Sequence, residues 1–119
     1  MEYKLFDSEL KVLEILWDGG QMPAREIANQ AEQQVGWSRT TTYTVLKKCV
    51  EKGLISRQEP GFRCEARITR QQAQQQETKG LIDRMYGGSV SYLMASLLDG
   101  DALSSEEITR LRKMVEDLK

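Results

Sequence analysis

The sequence predicts a mostly α-helical chain with one small β-hairpin set into it, and three observations predict this. Apolar residues recur at helical spacing along most of the 119 residues. Glycines at Gly19-Gly20 and Gly36 divide the first part into three helical segments. After Gly53 the period changes, and two short runs of strand character flank the turn signal Glu59-Pro60-Gly61.

The first helix follows Phe6-Asp7-Ser8, and Ser8 or Asp7 is expected to cap it, since either side-chain oxygen can accept from the orphan amides of the first turn. Leu10, Leu13, Leu16 and Trp17 form its apolar side, Val12 lies at the edge, and Ile15 falls on the far face. Gln21-Met22-Pro23 reads as a short extended connector. Pro23 suits the start of a second helix running from Ala24 to about residue 33, because its missing N–H is not needed there. Ile27, Ala28 and Ala31 are the buried side of that helix. Ser38 then caps a third helix, which ends at Gly53.

This third helix has two faces of different chemistry. Thr42, Val45, Leu46 and Cys49 share the side expected to pack. Thr40, Tyr43, Thr44 and Lys47 share the other, at spacings i, i+3, i+4 and i+7. A solvated helix face is usually laced with Glu–Lys pairs, but this one holds hydroxyls, a phenol and a cation, with no carboxylate before Glu51. Such a surface suits an anionic partner rich in hydrogen-bonding groups, as the major groove of DNA is. We read it as a recognition helix.

Leu54-Ile55-Ser56-Arg57-Gln58 and Arg63-Cys64-Glu65-Ala66-Arg67-Ile68 read as the two strands of the hairpin. Three helices and a hairpin, with a tight connection between helices two and three, is the order of a winged helix-turn-helix domain, assigned here to residues 1–69. From Arg70 the chain is helical again, through a glutamine-rich run to Leu81, Ile82 and Met85. Tyr86-Gly87-Gly88 breaks it. A short apolar helix over residues 90–98 carries Tyr92, Leu93 and Leu97, and an S-x-x-E capping box at Ser104 and Glu107 opens the last helix. There Ile108, Leu111, Val115 and Leu118 form a coiled-coil-like seam. Residues 70–119 are too few to bury a core of their own, so these apolar faces need a partner, either the N-terminal domain as a helical cover or, the reading taken here, a second copy of the chain. Dimerisation also multiplies the few base pairs that one helix can read.

Net charge supports this division. Residues 1–34 hold three basic and seven acidic side chains, residues 35–70 eight and three, and residues 71–119 six and eight. The middle segment is thus +5 within a chain of net charge −1, the footprint expected where one element meets phosphates. There is no histidine, no carboxylate pair beside a nucleophile and no glycine-rich phosphate loop, so an enzyme is not expected. Cys49 and Cys64 do not have zinc-site spacing, and Cys49 is expected to pack as a small apolar residue. No cofactor or metal is expected. No apolar run is long enough to span a membrane and no signal-peptide core is present, so a cytoplasmic location is expected.

F-D-S-E-L-K-V-L-E-I-L-W, W-S-R-T-T-T-Y-T-V-L-K-K-C-V-E-K-G-L-I, Y-G-G-S-V-S-Y-L and L-S-S-E-E-I-T-R-L, in this order, resemble the penicillinase and methicillin-resistance repressors, the BlaI/MecI family, over essentially the whole chain. The resemblance implies a dimeric winged-helix repressor of β-lactam-resistance or related genes that binds palindromic operators. It places base-reading positions at Thr40, Thr41, Tyr43, Thr44 and Lys47, adding Thr41 to the stripe found above, and phosphate contacts at Ser38, Arg39, Lys48, Arg57 and Arg63. It also implies an inactivating protease as a partner, since such repressors work beside a membrane sensor with a metalloprotease domain. Two departures limit that part. The dipeptide aligned with the Asn-Phe cleavage site is Ser96-Leu97, and the C-terminus lacks the clustered cysteines of a copper-responsive branch. The competing reading is a winged-helix interaction module whose third helix and wing bind an acidic protein.

Overall fold

In the computed structural model, which describes residues 4–118, α1 (Asp7–Gly19) is capped from inside. The Glu9 carboxylate turns back so that its Oε1 accepts from the Phe6 backbone N–H at 3.0 Å. Phe6 therefore occupies the N-cap position, and neither Asp7 nor Ser8 caps the helix as expected, because both already lie inside the first turn. The same Glu9 oxygen accepts from Lys52 Nζ at 2.8 Å, and Glu9 is only 1% exposed. Lys52 Nζ also donates to the Lys4 carbonyl at 3.0 Å and lies 4.4 Å from the centre of the Phe6 ring. A carboxylate removed from water must be paired to be tolerated. This one is paired with the residue that follows the last turn of the third helix.

The order continues with β1 (Met22–Pro23), α2 (Ala24–Val35), α3 (Arg39–Glu51), β2 (Ile55–Gln58), β3 (Arg63–Ala66), α4 (Arg70–Met85), α5 (Val90–Asp99) and α6 (Ser105–Glu116). The chain divides into two compact units, Met1–Glu77 and Thr78–Lys119.

In the first unit, α1 packs against α2, α3 and β3. Contacts on several sides bury Val12, Leu13, Ile15 and Leu16 together. Ile15, expected on the far face, is core, and Val12 is central rather than marginal, while Leu10 and Trp17 are only half-buried. Ile27, Ala28 and Ala31 of α2 and Thr42, Val45, Leu46 and Cys49 of α3 are buried as their spacing predicts. Gly36, in the left-handed conformation at φ 82°, closes α2 by donating to the Ala31 and Glu32 carbonyls.

The hairpin is part of a three-stranded antiparallel sheet of order β1-β3-β2. β3 pairs with β2 (Arg57 opposite Cys64, Gln58 opposite Arg63) and with β1 (Met22 opposite Cys64, Pro23 opposite Arg63). The extended connector is therefore an edge strand, a position where the missing N–H of Pro23 costs no ladder bond. Pro23 itself serves as the N-cap position of α2, which starts at Ala24 as its sequence predicts.

α4 opens with a reciprocal capping box: Gln72 N donates to Thr69 Oγ1 at 3.0 Å and Thr69 N to Gln72 Oε1 at 2.9 Å. Its start is tied to α1 by Trp17 Nε1, which donates to the Ile68 carbonyl at 2.9 Å, and by the Arg70–Asp18 ion pair at 2.8 Å. In the second unit, Ser89 caps α5 and Ser104 caps α6, each accepting from the amide three residues on. No residue of α5 or α6 is buried.

Cys49 and Cys64 are both buried free thiols. Burial, reinforced by the nearby Glu9 charge, pushes the Cys49 thiol up to about 12, and burial pushes Cys64 up to about 11.

This packing sets the expected effects of substitution, thiol modification and pH. Lys52→Ala strands the Glu9 charge, and with Lys52 30% exposed the expected loss is about 2–3 kcal/mol, below the range for fully buried pairs. Arg70→Ala, at an exposed pair, is expected to change stability by less than about 1 kcal/mol; denaturant titration of both variants checks the contrast. Neither thiol should react with a thiol reagent at pH 8 unless the protein is unfolded. Because both folded values exceed the ordinary 9.0, the folded state holds these protons longer, so stability is full below pH 9 and falls as pH rises from there towards 11–12.

Candidate nucleic-acid interface

Burying Thr42, Val45, Leu46 and Cys49 forces the rest of α3 outward. Thr40, Thr41, Thr44, Lys47 and Lys48 are all exposed, and Tyr43 is half-buried at the edge of the stripe. Lys47 and Lys48 form no ion pair among the described residues. No acidic residue lies in the first turn of α3, so its positive N-terminal end is not offset by a local carboxylate.

The hydroxyls differ in what they have to offer. Ser38 Oγ accepts from Thr41 N at 3.2 Å and lies 3.0 Å from Thr41 Oγ1, so its first task is to cap α3. Thr44 Oγ1 donates to the Thr40 carbonyl at 2.9 Å. Its proton is thus engaged within the helix, so this exposed side chain has an accepting oxygen and a methyl group to offer. That combination fits an adenine or cytosine amino group, or a thymine methyl. Thr40 and Lys47 complete the stripe, Lys47 with three donors suited to guanine acceptors or phosphate. Arg39 Nη2 donates to Asn29 Oδ1 at 2.8 Å, which ties the start of α3 to α2.

The two arginines of the wing differ in what they contact. Arg63 is exposed on β3, opposite Gln58. Arg57, however, is engaged within the turn: its Nε pairs with Glu59 Oε1 at 2.6 Å, and its guanidinium carbon lies 3.8 Å from the centre of the Phe62 ring. The Arg57 hydrogen bond, with a second from Phe62 N, holds the Glu59 carboxyl below the usual range. Phe62 adopts a left-handed φ of 48°, a conformation that costs a bulky residue on the order of 1–3 kcal/mol. Its N–H donates to Glu59 Oε2 at 3.2 Å and its carbonyl accepts from Ala24 N at 2.8 Å. The ring meets Tyr43 at a centroid distance of 5.9 Å and a tilt of 59°. Sequence reasoning missed Phe62 and Asn29. An aromatic directly after Pro60-Gly61 was the available signal for Phe62, whereas nothing local marks Asn29.

Among the described residues there is no cluster of histidine, cysteine and carboxylate groups able to hold a metal, and no helix is long and apolar enough to cross a membrane.

A family model described as penicillinase repressor matches residues 5–117. The chain is 25% identical over 118 residues to the penicillinase repressor of Bacillus licheniformis, spanning 98% of this chain and 92% of that one. It is 24% identical over 115 residues to the methicillin resistance regulatory protein MecI of Staphylococcus aureus, spanning 95% and 94% respectively. The solution structure of the DNA-binding domain of the repressor BlaI superposes with a TM-score of 0.53 at 23% identity, over 59% of this chain and 90% of that domain. That last likeness concerns the fold.

Proposed function

From the premise that this chain belongs to the penicillinase repressor family and is a DNA-binding repressor of the BlaI/MecI type, we propose that it acts as a homodimer on a palindromic operator. The observation that carries this reading is the outward face of α3: hydroxyls and lysines with no carboxylate among them, presented by a helix whose other face is core. Thr40, Thr41, Tyr43, Thr44 and Lys47 read bases. Ser38, Arg39, Lys48 and Arg63 lie beside them in the only net-basic third of the sequence and meet phosphates. A cytoplasmic location follows from that work.

Dimerisation is supported by the second unit. Val115 is 61% exposed, Met85 66% and Leu118 85%. α5 and α6 also form an open apolar groove of about 430 Å³ lined by Met94, Leu98, Leu103, Ile108, Leu111 and Val115. Large apolar side chains exposed beside an apolar groove are suited to burial against the same surface of a second copy. Leu81, Ile82, Tyr92, Leu93 and Leu97 extend the contact, each exposed or only half-buried in a single chain. Two recognition helices related by a two-fold axis then read two half-sites about one turn (~34 Å) apart. An inactivating protease would act on α5, where the dipeptide Ser96-Leu97 lies.

Selection from random duplexes is expected to return a palindrome. Thr44→Ala is expected to lose ~1–3 kcal/mol of discrimination at one base pair in each half-site. Lys48→Ala is expected to weaken all sequences alike and to lower the slope of log K against log salt by about 0.9 for each phosphate no longer neutralised. No enriched sequence, or binding insensitive to salt, would contradict the repressor reading. For assembly, Leu111→Glu is expected to convert a dimer into a monomer in sedimentation and to weaken operator binding without altering the fold of the first unit. A wild-type monomer at micromolar concentration would contradict it.

A further inference from the structure

Tyr43 differs from the rest of the recognition stripe in that it is held by the wing. Its ring lies against Phe62 at a centroid distance of 5.9 Å, and Phe62 is itself packed against the core. The backbone of Phe62 is pinned on both sides, its N–H by Glu59 and its carbonyl by the amide of Ala24 at the start of α2. It is the only non-glycine residue at positive φ among those described, a conformation a phenylalanine keeps only when its surroundings impose it. The Arg57 guanidinium, stacked on the Phe62 ring, is itself held by Glu59. Glu59, Arg57, Phe62 and Tyr43 thus form one chain of contacts from the tip of the wing to the recognition helix.

We infer that Phe62, together with the Arg57–Glu59 pair stacked on it, is a positioning element for base recognition. It sets the orientation of Tyr43 and so governs sequence preference at the base pair that Tyr43 faces. Arg57 in this arrangement serves the wing itself and is not one of the phosphate contacts. The inference rests on the DNA-reading role proposed above for α3. It differs from an ordinary wing contact in kind, because a side chain that binds phosphate alters affinity for all sequences, whereas one that aims another side chain alters the ranking among sequences.

The test uses the full-length protein with the duplex selected by the wild type and its single-base-substituted versions. Tyr43→Ala first identifies the base pairs at which discrimination depends on Tyr43. Phe62→Leu is then expected to reduce discrimination about tenfold at those same base pairs and less than twofold elsewhere. The Tyr43→Ala/Phe62→Leu double variant should lose no more than Tyr43→Ala alone, since the two act as a unit. Phe62→Tyr, which keeps a ring at this position, should restore the preference. Arg57→Ala should leave the salt slope unchanged under conditions where Lys48→Ala lowers it. Glu59→Ala, at an exposed position outside the core, should reproduce the loss of discrimination and keeps the test available if Phe62→Leu does not fold. Equal weakening of all duplexes by Phe62→Leu or Glu59→Ala, additive losses in the double variant, or a lower salt slope for Arg57→Ala would overturn the inference. A wild type without sequence preference would instead overturn the reading on which it rests.

Discussion

The DNA-reading role proposed for this protein depends on one packing constraint, the burial of the Thr42, Val45, Leu46 and Cys49 seam of α3. A helix of this length can present only one face to a partner, and the core decides which. With Leu46 and Cys49 fully buried beside Leu13 and Ile27, the Thr40, Thr44 and Lys47 face is directed outward. At the C-terminal end the Glu9–Lys52 pair fixes α3 against the start of α1, and at the N-terminal end Arg39 reaches Asn29 of α2. A rotation of α3 by one residue would carry its side chains round by about 100° and bring polar groups into the core.

The wing adds a second constraint. Its three strands and its turn join the start of α2, the edge of α3 and the hairpin through the single residue Phe62. The strained backbone there is balanced by two backbone hydrogen bonds, a stacked guanidinium and a ring contact. In the proposed role of α3, this joins the wing tip to the recognition helix through the Phe62–Tyr43 contact. The second unit is arranged in the opposite sense, with well-capped helices and no buried side chain in α5 or α6. Caps fix where its helices start, and its apolar side chains stay exposed or half-buried in the single chain.

The helices were legible in the sequence because their signals are local. Ser38 and Ser104 cap as their spacing predicts, Gly36 and Gly53 stop their helices in the left-handed conformation, and the α3 seam lies where a 3.6-residue period puts it. The misreadings share a physical cause, which is that a distant segment decides the outcome. Ile15 is buried because α1 is covered on several sides, which its own periodicity does not record. Met22 and Pro23 look like a connector until β3, some forty residues on, pairs with them. Glu9 displaces Ser8 and Asp7 from capping α1, and the Lys52 that stabilises the buried carboxylate lies 43 positions away. In the candidate site the exposed stripe could be read directly, but the engagement of Arg57 by Glu59 and the seating of Tyr43 on Phe62 depend on the folded turn.

The central claim, that the outward face of α3 reads DNA sequence, is tested most directly by NMR of the protein bound to its selected duplex. Intermolecular NOEs are expected from the Thr40 and Thr44 methyl groups and the Lys47 side chain to major-groove base protons. Amide shifts in α2 and α6 should be small by comparison. NOEs confined to sugar protons, or none from α3 while another element contacts the duplex, would contradict the account.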